Sequence, residues 1–133
     1  MRHIGVAATS HQTIRSVLGG KATGSYLGKV AVARGAQQTD SVQSVKAMLL
    51  DRGATANAKP ELEIYADDVK CAHGASVGEL DRDQLFYAAA RGLDPALARA
   101  LLLEGFIAGL WSDIAGDDEG IADLARTALR SIA

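Results

Sequence analysis

Two hydrophobic periods divide the chain. Up to about Leu80, short apolar stretches recur at roughly 10 to 20 residues, separated by turn residues, with no amphipathic segment of helical length between them. "SYLGKVAVA" (residues 25–33) alternates partly at period 2 through Lys29, Val30, Ala31 and Val32. "SVKAMLL" (44–50) is followed by "DRG" and "ELEIYA" (61–66) by "DD", and "VKCAHGASV" (69–77) closes the series. An antiparallel sandwich would normally carry two-residue hairpin signals such as Asn-Gly, which are missing. A parallel β-helix, in which each short strand stacks on the previous coil, explains the spacing better. Its coils need neighbours on both sides. No polar cap is recognisable in the opening residues, so exposed strand edges are expected there, and a homodimer would bury them by pairing two copies.

From Asp81 onward the period becomes helical. "DRDQLFYAAARG" offers Asp81 as N-cap with Gln84 three residues on, a capping box, and Gly92 just past the helix end. "DPALARALLLEGFIAGLWSDI" restarts with Asp94 as N-cap and Pro95 in the first turn. Its spacing predicts one face carrying Leu97, Leu101, Ile107 and Ile114, widened by Leu102, Phe106, Leu110 and Trp111. Gly105 and Gly109, four apart, would admit a second backbone. A third helix is expected over 119–131, carrying Ile121, Leu124, Ala128, Leu129 and Ile132. The pattern thus predicts a mainly β chain with an α tail: β-helix coils over residues 1–80 and a helical domain over 81–133.

Composition narrows the function classes. An apolar fraction of 48% with 23% charged residues describes a folded, soluble chain, and at 133 residues one real core is affordable. A net charge of −2 without a dense Lys/Arg run leaves no electrostatic footprint for nucleic acid. The longest apolar cluster, 96–111, is broken by Arg99, Glu104 and two glycines, which argues against a membrane span. The first twenty residues lack the layout of a secretory signal. One cysteine cannot form an internal disulfide, so a reducing, cytoplasmic setting is expected. Gly20-Lys21 and Gly28-Lys29 lack the other residues of a P-loop, so ATP binding by that motif is not expected.

The candidate chemistry sits in "KCAHG" (70–74). On an extended strand Cys71 and His73 share a face, together with Val69, Ala75 and Val77 if Gly74 forms no bulge. A thiolate and an imidazole both ligate iron or zinc, yet two ligands are half a site. His3 and His11 stand more than sixty residues away in sequence. The same residues also read as a small buried hydrophobe beside an incidental imidazole, or as a Cys/His nucleophile pair. The acidic residues Glu61, Glu63, Asp67 and Asp68 suit a hard cation, paired carboxylates or a solvated strand edge.

"GAQQTDSVQSVKAMLL" (35–50), "ANAKPELEIYADDVKCAHGASVGELDRDQLFY" (56–87) and "RGL" (91–93) resemble the C-terminal part of SufD-type members of the SufB/SufD family of iron–sulfur cluster assembly proteins. "ATSHQ" (8–12) and "GKV" (28–30) extend the likeness, which weakens beyond about residue 114. The resemblance implies the last coils of a right-handed parallel β-helix followed by a C-terminal helical domain. It implies a non-catalytic scaffold that pairs with SufB through the β-helices and binds the SufC ATPase through the helical domain. A transient iron–sulfur cluster shared with SufB would be built at the SufB–SufD interface, none being expected on the isolated chain. The family's "KC-x-HG" histidine corresponds to His73, implicated in that site, and its cysteine to Cys71. Where the family often carries a histidine before "TTS" this chain has Ala7, and His3, at a family histidine position, is expected to serve strand packing. The rival readings are a β-helix interaction module without metal chemistry and a β-helix carbohydrate-active enzyme using the clustered carboxylates; the second is weakened by an aromatic fraction of only 5%, too small to line a sugar groove.

Overall fold

All the strands precede all the helices: β1 (Arg2–His3), β2 (Thr9–Leu18), β3 (Thr23–Val32), β4 (Asp40–Leu49), β5 (Thr55–Ile64), β6 (Lys70–Glu79), then α1 (Arg82–Ala90), α2 (Pro95–Ala108) and α3 (Glu119–Arg130). The computed structural model describes residues 1–111 and 119–132. Ile114 lies outside them.

Every pairing is parallel, and each strand skips its sequence neighbour to pair with the next but one, giving sheets β1-β3-β5 and β2-β4-β6. Thr9 stands opposite Asp40, and Asp40 opposite Lys70, so the chain returns to the same sheet position after 31 and then 30 residues. Parallel strands need a crossover. Here each crossover is itself a strand of the other sheet, which is consistent with a β-helix-like fold and with the predicted spacing. Corners repeat with the coil: Ala7 and Gln38 both take positive φ (55° and 61°), and the Gln37 amide donates to Arg34 O (3.1 Å) and Asp67 Oδ1 (2.9 Å) while its Oε1 accepts from Asp68 N (2.9 Å).

Alternation places one face of each strand inside. On β4 the inner residues are Ser41, Gln43, Val45 and Ala47, all buried. Val30, Val32, Ala36 and Ala66 form the main apolar cluster, with Leu62, Val69 and Cys71 packed against it. Part of the interior is polar and is paired from coil to coil. His3 Nε2 hydrogen-bonds Ser10 Oγ (2.8 Å), which meets Ser41 Oγ (2.9 Å). Gln43 Nε2 donates to Gln12 Oε1 (2.7 Å) and, across the gap between sheets, to the Tyr26 hydroxyl (3.0 Å). Tyr26 finds room because Gly28 follows two residues later on the same face; a Cβ at Gly28 would fall on the Tyr26 ring.

The helix ends match their sequence signals better than the helix faces do. Asp81 accepts from Asp83 N and Gln84 N (2.8 and 3.4 Å), and Gly92, at φ 81°, closes α1 with Gly92 N–Ala89 O and Leu93 N–Ala88 O bonds, the two bonds of a Schellman ending. Asp94 caps α2 ahead of Pro95. α2 then stops at Ala108, short of the predicted run: Gly109 is its C-cap, and Leu110 and Trp111 bond back three residues in a tighter turn. The buried α2 residues are Ala98 and Leu103, whereas Leu97 and Leu101 of the predicted face are about half exposed (52% and 50%). On α3, Ala122 and Leu129 are buried while Ile121 and Leu124 face outward. On α2 the apolar band is too wide for periodicity to select one stripe. No atom outside the local chain comes within 4 Å of a Cβ built on Gly105 or Gly109, so neither marks a close backbone approach among the described residues. Arg15 of β2 lies over the Phe106 ring (5.7 Å), and Glu104 meets Arg130 (3.7 Å).

Candidate functional site

β6 is the last strand of its sheet: β4 pairs along one edge, and the chain then turns into α1. The β4–β6 register runs residue for residue from Asp40↔Lys70 to Leu49↔Glu79, so Gly74 introduces no bulge. Cys71, His73, Ala75 and Val77 therefore stand opposite Ser41, Gln43, Val45 and Ala47 on the inner face. The β4 residues have a strand on either side and are almost fully buried. Their β6 counterparts have one neighbour, so Cys71 is half-buried while His73, Ala75 and Val77 are exposed. The inner face thus opens at the end of the stack, and both residues of "KCAHG" lie on it.

Their surroundings differ. Cys71 packs on the Val30/Val32 cluster, and this burial pushes its thiol up from the ordinary value; a hydrogen bond from the Ser41 backbone pulls it down, and the nearby Asp40 carboxylate adds to the rise. The resting thiol is therefore held neutral, and a cation or positive partner is needed to favour the thiolate. His73, one inner position further on and about 6.6 Å along the strand, is open to solvent. Together they supply one soft and one borderline donor from a single side. Among the described residues no group of three or more His, Cys, Asp or Glu side chains is placed to hold a metal ion.

The other histidines do not complete the pair. His3 is buried (6% exposed) and bonded to Ser10, in the interior row Ser10–Ser41–Cys71 but at the opposite end of it. His11 aligns with Val42 and Ala72 and is exposed on the outer face. The carboxylates are engaged elsewhere. Lys29 bridges Glu63 (2.6 Å) and Glu61 (3.9 Å), and Lys59 holds Glu61 (2.9 Å). The Glu63 hydrogen bond raises the Lys29 ammonium above its usual value, and the Lys59 hydrogen bond lowers the Glu61 carboxyl below its own. Asp67 and Asp68 tie the corner to Gln37. These acids form a solvated ion-pair strip and a turn, which is the third of the sequence readings.

Sequence reasoning missed Gln43. It is 1% exposed, stands in register with His73, and its Oε1 has no hydrogen-bond partner among the described residues. A glutamine on a strand carries no sequence signal of burial; the only available hint was the recurrence of Gln12 and Gln43 31 residues apart.

A family model described as "SUF system FeS cluster assembly, SufBD core domain" matches residues 1–106, which covers the whole stack and most of α2. The chain belongs to the SufBD family. Within that family it is similar to the iron-sulfur cluster assembly protein SufD of Escherichia coli, 37% identical over 112 residues, covering 84% of this chain and 26% of that protein. It is also similar to the chloroplastic protein ABCI7 of Arabidopsis thaliana, 45% identical over 102 residues (77% of this chain, 21% of the relative), and to the SufBD family protein slr0076 of Synechocystis, 44% identical over 81 residues (61% and 18%). The chain spans about a quarter or less of the length of these SufBD relatives. No helix among the described residues is long and apolar enough to cross a membrane.

Proposed function

We propose that this SufBD chain is a cytoplasmic, non-catalytic scaffold of the SUF machinery, carrying half of a site on which a nascent iron–sulfur cluster is built. The cluster is cargo. His73 and Cys71 would hold it from one side, and SufB, docked on the open end of a right-handed parallel β-helix, would supply the remaining ligands. One observation carries this reading: the inner face of β6 continues a buried row of side chains but ends in the open, and its exposed end bears an imidazole beside a thiol. Shared and edge-exposed ligands suit a cluster that must be built and then released. A resident metal would be better served by a closed four-ligand shell.

The division of labour follows the break between Glu79 and Arg82. Residues 1–80 act as the coil domain and residues 81–133 as the helical domain that meets the SufC ATPase. The groove between α1 and α2, lined by Tyr87, Leu93, Leu101 and Leu102, is one apolar surface available for that contact. ATP hydrolysis in SufC would move the helical domains and open the SufB interface to iron and sulfur.

The test is co-expression with SufB and SufC, followed by iron and sulfide analysis of the purified complex for parent, His73→Ala and Cys71→Ala. The expected result is a complex that still assembles but loses most of its iron in His73→Ala. Full iron and sulfide in both variants would sink the shared-site reading and leave a scaffold without ligands.

A further inference from the structure

We infer that Gln43 positions His73, by accepting a hydrogen bond from one imidazole nitrogen and so fixing which nitrogen faces outward. The inference deepens the cluster-site reading above and rests on it for its purpose, although its geometry stands alone. Gln43 and His73 are register partners on adjacent parallel strands, both on the inner face, where in-register side chains stack about 4.8 Å apart. Gln43 is 1% exposed, and its Nε2 donates both to Gln12 Oε1 (2.7 Å) and to the Tyr26 hydroxyl (3.0 Å). With the nitrogen committed to the coil above and to the facing sheet, Oε1 is left as an acceptor without a partner, and His73 is the in-register side chain on the remaining side.

An unpaired buried carbonyl is costly, and its in-register neighbour on the open side, His73, carries a ring N–H that can pair with it. A neutral imidazole has one N–H and one lone pair. If Gln43 takes the N–H, the lone pair is the atom presented at the open end, and it is always the same nitrogen. A ligating histidine is commonly oriented in this way by an acceptor behind it. The row Gln12–Gln43–His73 would then be a ladder of amides ending in the donor atom of the site, braced from the other sheet by Tyr26.

The test reads the tautomer directly and needs no iron. The chain has three histidines, so ¹⁵N-histidine labelling with two-bond ¹H–¹⁵N correlation, assigned with His73→Ala, resolves His73 at about pH 8, where an ordinary imidazole is neutral. The parent should show His73 in one tautomer by roughly tenfold, the bias a single hydrogen bond gives. Gln43→Met, which keeps the length and removes the acceptor, should bring the ratio back to that of free histidine. Tyr26→Phe, which releases one of the two anchors of the amide, should shift it partway. A parent His73 already at the free-histidine ratio overturns the inference without any variant having to fold, as does an unchanged bias in Gln43→Met. The two readings fail separately: a pinned tautomer with no iron lost in His73→Ala removes the cluster site and keeps the positioning, and the reverse result removes only the positioning.

Discussion

Gly28→Ala is a small change whose cost can be worked from the packing. The new methyl would fall on the Tyr26 ring, which lies over Gly28 on the inner face of β3. Overpacking of this kind costs about 1–3 kcal/mol when the neighbour must leave its rotamer. Moving the ring also breaks the Tyr26–Gln43 hydrogen bond, worth about 1 kcal/mol. Against this, alanine restricts the unfolded chain and returns about 0.4–1 kcal/mol. The net expectation is a loss of about 2 kcal/mol, combining those terms. With a urea slope of about 2 kcal/mol/M, the unfolding midpoint should fall by about 1 M at unchanged slope. Gly74→Ala is the matched control, because no atom lies within 4 Å of a Cβ there and its φ is ordinary; it should leave the midpoint unchanged or raise it. In a Tyr26→Ala background only the chain-entropy gain remains, so Gly28→Ala should be neutral to slightly stabilising, giving a coupling of about 3 kcal/mol. Equal losses in both backgrounds, or a Gly28→Ala midpoint within error of the parent, would refute the account of why glycine stands at that position.

Leu103 is fully buried on α2, so Leu103→Ala should cost about 2–5 kcal/mol, read as a fall in Tm, whereas Leu101→Ala on the half-exposed side should cost far less. Cys71, whose thiol is pushed up by burial, should react with iodoacetamide more slowly in the folded chain than in urea at mildly alkaline pH. The folded thiol ionises above its unfolded counterpart, so its contribution to stability is whole below the ordinary cysteine range and is lost as pH rises from there through the higher folded value. Parent stability should accordingly drop more steeply above about pH 8.5 than that of Cys71→Ala; parallel curves would contradict the shift.

What the sequence revealed depended on whether the local pattern agreed with the fold. β3 and β6 were legible, and so were the caps at Asp81, Gly92 and Asp94, because a cap is a local chemical event. β4 was read only from Ser44 onward, since in its first half the polarity is inverted: Ser41 and Gln43 are buried while Val42 is 40% exposed. Hydrophobic alternation cannot find a strand whose interior partners are a serine and a glutamine bonded to the coil above. β5 is legible only from Glu61 onward for a related reason, its inner positions beginning with Ala56, Ala58 and Pro60, too small or too unusual to mark a strand. The shared face of Cys71 and His73 followed from parity alone, but the openness of that face and the amide behind His73 are properties of stacking. They arise only where the stack brings positions 30 and 31 residues apart side by side.

That stacking also governs how such a chain can change length. The strand pairs hold one-to-one register over ten positions, while the return distance is 31 between β2 and β4, 30 between β4 and β6, and 32 between β3 and β5. The variation is absorbed in the corners. A single residue added inside β4 would invert the alternation on one side of it, turning Ser41 and Gln43 or Val45 and Ala47 outward, whereas a residue added at a corner, or some thirty added as a complete turn of the stack, would leave every row intact. Growth and shrinkage of this architecture are therefore quantised, and a site at the end of the stack can be carried outward or inward by whole turns without altering the residues that form it.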